Sequence, residues 1–251
     1  MSLRSFLWVA LAAVVIATGP ASATEDEGWT WLFKDGALDH WIIPEGDGGH
    51  WKVIEFDGGP VIDYDARSEA EGVKDLVSRE SYKDFVLELE WRITDTPSIN
   101  PNVRYVLPDG THARDIKGQE MALALPDSDS GVFLRGSSKC QVNIWCWPIG
   151  SGEVYGYRMD RSMPPEVRAG VTPKTQADKP VGEWNAFQIT MKGDRLTVVL
   201  NGITVLENAQ LPGAPAEGPL SLQHHGSYRD GKYVGSPSLV QFRNIRIKPL
   251  D

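Results

Sequence analysis

The sequence predicts an all-β chain, a sandwich of two antiparallel sheets. Helical periodicity is nearly absent, and short runs that alternate or are rich in β-branched and aromatic residues recur in its place. Turn signals such as Asp57-Gly58-Gly59-Pro60, Asp109-Gly110, Gly193-Asp194 and Asn201-Gly202 separate these runs. The chain of 251 residues also carries 25 glycines and 17 prolines, a turn-rich composition that fits many short strands in one core.

The first residues fall outside that pattern. Arg4 is a short basic start, residues 6–17 form an apolar run, and Ala21-Ser22-Ala23 is a small-x-small cleavage site. Together they predict a secretory signal peptide over 1–23 and a single domain over 24–251, in an exported protein that is periplasmic or secreted. The apolar run is too short to cross a bilayer, and no later segment is long enough. Strands are then expected at 51–56, 85–93, 131–135, 140–146, 184–191, 195–200, 203–207, 220–224 and 240–247. Gly193-Asp194 and Asn201-Gly202 each separate two apolar runs, which predicts a three-stranded meander over 184–207. Two long stretches read as irregular. Residues 94–130 carry Pro97, Pro101, Pro108 and Pro126; residues 161–182 carry Pro164, Pro165, Pro173 and Pro180. Loops of this length in a compact domain are often functional.

The formal net charge is −9, and −10 once Arg4 is removed. That balance argues against nucleic acid or an anionic membrane surface as partner and leaves the oligomeric state open. Two cysteines in an exported chain invite a disulfide. Cys140 and Cys146, however, lie six residues apart on one expected strand. That spacing puts them roughly 20 Å apart, against about 7 Å at most for bonded Cα atoms. Two free thiols are expected.

The strand at 140–146 raises the functional question. Cys140, Val142, Ile144 and Cys146 point one way, and Gln141, Asn143, Trp145 and Trp147 point the other. In 85–93 the second face carries Glu88, Glu90 and Arg92, and in 131–135 Arg135 lies opposite Val132 and Leu134. Such residues suit an ordinary solvated sheet face. They also place carboxylate, guanidinium, amide and indole on what reads as one sheet. Amides and carboxylates pair with sugar hydroxyls, and flat rings stack on the C–H face of a pyranose. A carbohydrate ligand is the chemistry that this face would recognise.

Five segments appear in order: GWTWLFKDGALDHW (28–41), YKDFVLELEWRI (82–93), DSGVFLRG (129–136), KPVGEWNAFQITMKGDRLTVVLNGITVLEN (179–208), and GPLSLQHHG with VQFRNIRIKPL (218–226, 240–250). In combination they resemble the 3-keto-disaccharide hydrolase domain family over nearly the whole chain. The resemblance implies a concanavalin A-like lectin/glucanase jelly roll. The chain departs from the family in three places. Lys139-Cys140-Gln141-Val142-Asn143 stands where Tyr-Glu-Val-Gln is common, Gln223-His224-His225-Gly226 stands where Gln-Asp-His-Gly is common, and a long segment replaces the short link before the 129–136 strand.

The resemblance implies cleavage of glycosidic bonds in 3-keto-glycosides. A ketone at C3 acidifies the C2 hydrogen; a base removes it, the C1 substituent leaves, and water adds afterwards. This needs a base, a partner for the enolate oxygen and an acid for the leaving group. His is the natural base near neutral pH. On parity His225 joins the polar face and His224 the other, and the resemblance also selects His225. Arg135 is the candidate enolate partner, with a salt bridge to Glu88 or Glu90 as its structural alternative. Glu90 and Glu153 are further acid–base candidates; for Glu153 a solvated loop position competes. Glu88, Gln141, Asn143, Trp145, Tyr155 and Gln223 are the candidate sugar-binding residues. No cofactor is required by any motif. A divalent metal on Glu90, His225 and Asp127 or Asp129 is the open alternative, since a metal stabilises an enolate well. The two-carboxylate mechanism of ordinary glycosidases lacks a Glu-x-Asp-x-Glu string here. The competing class is a carbohydrate-binding module of the same fold with no chemistry.

Overall fold

A computed structural model describes residues 27–67 and 74–250. The expected signal peptide, 1–23, lies outside the described residues. Six strands come first: β1 (Thr30–Phe33), β2 (Trp41–Ile42), β3 (Trp51–Phe56), β4 (Gly59–Tyr64), β5 (Leu76–Tyr82) and β6 (Phe85–Ile93). A separate hairpin, β7 (Ser98–Arg104) and β8 (Ala122–Asp127), follows. Next come β9 (Asp129–Leu134) and β10 (Ser137–Trp145), then two short helices, α1 (Tyr155–Arg158) and α2 (Pro165–Gly170). The chain continues with β11 (Asn185–Lys192), β12 (Arg195–Leu200), β13 (Ile203–Gln210) and β14 (Gly218–Leu222). A small hairpin, β15 (Ser227–Arg229) and β16 (Lys232–Val234), precedes the last strand, β17 (Val240–Pro249).

Two antiparallel sheets form the sandwich. The larger runs β13-β12-β11-β6-β17-β4-β3, with β1 also pairing to β17; the smaller runs β10-β9-β14-β5-β2. The expected meander is β11–β12–β13, closed at 201–202 by a hairpin turn in which Asn201 and Gly202 both have positive φ. Strict alternation fixes which face of β6, paired on both edges by β11 and β17, is buried. Phe85, Leu87, Leu89, Trp91 and Ile93 are buried in the core, while Val86, Glu88, Glu90 and Arg92 turn outward and are half-exposed. From the smaller sheet Val132, Leu134, Val142, Ile144, Leu220 and Leu222 meet them in the same core. Apolar burial of this kind is the main stabilising term, at about 1.5–3 kcal/mol per large side chain.

Three expectations change. Residues 94–130 are not an irregular loop, because most of the segment is the β7–β8 hairpin with further bridges Val106↔His112 and Arg114↔Glu120. The strand expected at 220–224 ends at Leu222, so His224 and His225 lie beyond it. And the polar face is not one face. Glu88 and Glu90 project from the outer side of the larger sheet, whereas Gln141, Asn143 and Trp145 alternate with the core residues of β10 on the outer side of the smaller one.

Cys140 and Cys146 are free thiols, as the spacing predicts. Cys140 is buried at the core and Cys146 half-buried, with its thiol pushed up to about 11 by burial.

Candidate active site

A cleft of about 360 Å³ opens on the outer side of the smaller sheet. Parity on β10 delivers Gln141, Asn143 and Trp145 to it. The chain leaving β14 delivers Gln223 and His225, and the start of β9 delivers Asp129. Asn100 of β7, Trp147, Tyr155 and Ser236 complete the wall. The floor depends on Gly131: a Cβ there would lie 2.5 Å from Gln141 Nε2. Without one, the Gln141 amide lies across β9, donating to Ser130 O at 3.2 Å and to the Gln223 side-chain oxygen.

His225 is fixed by backbone geometry. Gly226, at φ +75°, turns the chain so tightly that a Cβ would lie 2.8 Å from Ser236 O. That turn puts the Ser236 carbonyl against the imidazole, and His225 Nδ1 donates to it at 2.7 Å. The proton therefore sits on Nδ1 in the neutral ring, and Nε2 carries the lone pair. Nε2 lies 4.0 Å from Asp129 Oδ2. The Asp129 carboxyl is pushed up to about 7: burial raises it most, the neighbouring Asp127 adds to this, and His225 opposes it. Asp127 is buried and accepts three side-chain donors, Asn100 Nδ2 at 2.9 Å, Ser236 Oγ at 2.6 Å and Trp147 Nε1 at 3.2 Å. It clamps the hairpin, the 236 turn and the indole together. Asn143 is buried with its Nδ2 unpartnered, an N–H donor left for a ligand.

The aromatic wall differs from the expectation. Trp145 is only 4% exposed. Its Nε1 donates to Gly150 O at 2.8 Å, and one face is covered by Trp147, stacked at 4.2 Å and 1°. Trp145 lines the cleft but offers no free platform. Tyr155 is exposed and stands edge-on to both indoles. Trp147 and Tyr155 are the rings that a ligand meets.

Four expected acid–base residues are scattered. His225 is in the cleft. Arg135 is not: at φ +52° it leaves the end of β9 and is buried. It donates to Gly193 O at 2.7 Å and Pro215 O at 2.9 Å, and pairs with Asp84 at 2.9 Å. Its partner is Asp84, not Glu88 or Glu90. Those two glutamates pair with Arg246 and Arg243 on the far sheet face, where they line a separate groove. Glu153 is no solvated loop residue. It is completely buried, ion-paired to Arg158, and raised to about 7 because burial outweighs the arginine's pull. The metal set of Glu90, His225 and an aspartate is not assembled, since Glu90 is on the opposite sheet; no metal-binding group of three such ligands occurs among the described residues. Asn100 and Ser236 were missed, because they arrive from segments that read as loops. Trp147, which parity placed with Gln141, Asn143 and Trp145, joins them in the cleft.

The fold and this cleft define the class: a jelly-roll-type β-sandwich with a polar, aromatic-rimmed cleft on the outer face of one sheet. Residues 28–248 match the family profile described as the 3-keto-alpha-glucoside-1,2-lyase-like domain, and the chain belongs to that family. Among solved structures it is similar to three proteins from Parabacteroides distasonis that were provisionally assigned as glycosyl hydrolases. One is 19% identical with a TM-score of 0.55, covering 89% of this chain and 84% of that one. The second is 18% identical with a TM-score of 0.52, covering 90% and 95%. The third is 18% identical with a TM-score of 0.50, covering 88% and 99%. At these identities the likeness bears on the fold. No curated protein matches the chain.

Proposed function

We propose that the protein is a carbohydrate-active lyase or hydrolase that cleaves 3-keto-glycosides from the cleft around His225. The carrying observation is the anchored imidazole, with Nδ1–H on Ser236 O and the Nε2 lone pair 4.0 Å from Asp129. His225 Nε2 takes the C2 proton of the 3-keto sugar. The C2–H electron pair forms the enolate, whose oxygen is met by the unpartnered Asn143 Nδ2. The enolate then collapses as the C1–O bond breaks, giving an unsaturated 3-keto sugar. Asp129, raised towards neutrality, holds a proton to give to the leaving oxygen. Water added across the new double bond completes a net hydrolysis. Arg135 has no part in this scheme; Asn143 takes the role first assigned to it.

The test compares a 3-keto-glucoside with its parent glucoside. Wild type is expected to release the aglycone only from the ketone, with a primary isotope effect from C2 deuterium where proton removal limits the rate. His225→Gln is expected to lose about 10²–10⁴ in turnover with affinity nearly intact. Full turnover by that variant would move the base elsewhere. Tight binding with no turnover by wild type would establish the binding-module alternative, which the amide pair Gln141–Gln223 beside two aromatic rings also suits.

A further inference from the structure

A second cleft, of about 410 Å³, lies where the β7–β8 hairpin meets α1 and α2. The hairpin brings His112, Arg114 and Glu120; the helical segment brings Arg161 and Arg168. Between this cleft and the first stands Arg158, itself completely buried. Its guanidinium carbon is 5.3 Å from the Tyr155 ring on one side, and its Nη1 donates to His112 Nε2 at 2.9 Å on the other. Accepting at Nε2 fixes the proton on His112 Nδ1, which donates to Glu120 at 2.8 Å.

The charges here do not cancel. Glu153 is taken by Arg158, and Glu120 by Arg114. Among the described residues Arg161 and Arg168 have no carboxylate partner; Arg168 Nε is held by Arg158 O at 2.6 Å. On a chain of net charge −9, a cleft with two unmatched guanidinium groups is a local reversal of sign. Arg158 itself is paired with Glu153, so the excess charge of the cleft comes from Arg161 and Arg168.

We propose that this arginine-lined cleft takes an anionic group, the carboxylate of a uronic acid or a sulfate ester, on a saccharide whose neighbouring ring occupies the Trp147–Tyr155 cleft. The proposal rests on the carbohydrate reading of that first cleft and names the substrate class as acidic. Planar guanidinium groups match both oxyanions through paired N–H donors. The cleft residues His112, Arg114, Glu120, Arg161 and Arg168 come from the two proline-rich stretches, 94–130 and 161–182.

An array of matched neutral, uronic-acid and sulfated oligosaccharides tests it, with wild type and Arg161→Glu side by side. Arg161 is exposed, so the reversal leaves the fold intact. Wild type is expected to bind acidic members roughly tenfold or more tighter than neutral ones, the worth of a charge-assisted hydrogen bond. The preference is expected to shrink with added salt. Whether uronic acids or sulfate esters carry it identifies the anion. Arg161→Glu is expected to lose the preference and keep the neutral binding. Equal binding of acidic and neutral members by wild type, or a preference that survives Arg161→Glu, overturns the proposal. If no saccharide binds at all, the carbohydrate reading of the first cleft has failed, and titration with sodium sulfate decides the anion site separately. Sulfate binding abolished by Arg161→Glu upholds the anion site, and its absence in wild type removes it.

Discussion

Trp145 and Trp147 look interchangeable in the sequence and differ in the fold. The first holds a hydrogen bond to Gly150 O and is walled in; the second covers it and faces the cleft. Trp145→Ala is therefore expected to act on stability, costing about 3–5 kcal/mol in chemical denaturation. Trp147→Ala is expected to weaken saccharide binding by about 1–3 kcal/mol in titration calorimetry, with a smaller change in stability. The reverse pattern would mean that the indole nearer the core is the sugar platform. Parity along one strand was enough to bring Gln141, Asn143 and Trp145 to one side, because side-chain direction in a strand is fixed by position. How exposed each would be was not legible. Exposure is set by Gly150 and Trp147, and no periodicity reports a covering residue.

At the scale of elements, Arg135 is a clasp between turns. The β5–β6 turn supplies Asp84, the β11–β12 turn supplies Gly193 O, and the loop after β13 supplies Pro215 O. Arg135→Ala leaves Asp84 without its cation, and breaking a buried pair costs about 3–5 kcal/mol. Turnover of the folded variant is expected to match wild type, measured below its unfolding midpoint. Normal stability with lost turnover would return Arg135 to the reaction. Alternation in the sequence read Arg135 as a strand residue; its positive φ takes it out of the strand, a break that alternation cannot signal. The β7–β8 hairpin was hidden for a related reason. Pro97, Pro101, Pro108 and Pro126 read as strand breakers, yet Pro101 sits at the register shift between Asn100 and Val103, where no ladder bond is required of it. Long alternating strands such as β6, with its bounds at 85 and 93, were legible because both faces obey one period.

Across the whole molecule, one buried carboxyl and one half-buried carboxyl make stability depend on pH in an unusual direction. Asp129 and Glu153 are both raised to about 7. An unfolded chain would release those protons near pH 4. Between these limits the folded state binds more protons than the unfolded one, so this contribution to stability is complete at low pH and lost as pH rises through about 7. Asp65, lowered to about 2 by Arg67, acts in the opposite sense at lower pH, so the comparison must be with a variant. Asp129→Asn is expected to gain on wild type in unfolding free energy as pH is raised from 5 to 8, read by urea denaturation. A constant difference between the two proteins would show that Asp129 is ionised throughout.

The last strand in chain order lies in the interior of the larger sheet. β17 separates β6 from β4 and also holds β1, so β1 and the β3–β4 ribbon join the larger sheet only through residues 240–249. Until those residues emerge from the ribosome, β6 has one bare edge and the β3–β4 ribbon has nothing to join. Folding must then wait for the far end of the chain and close its longest loops late, a slow and non-local topology. The nascent polypeptide would stay open along most of its synthesis, with unpaired strand edges exposed until β17 arrives.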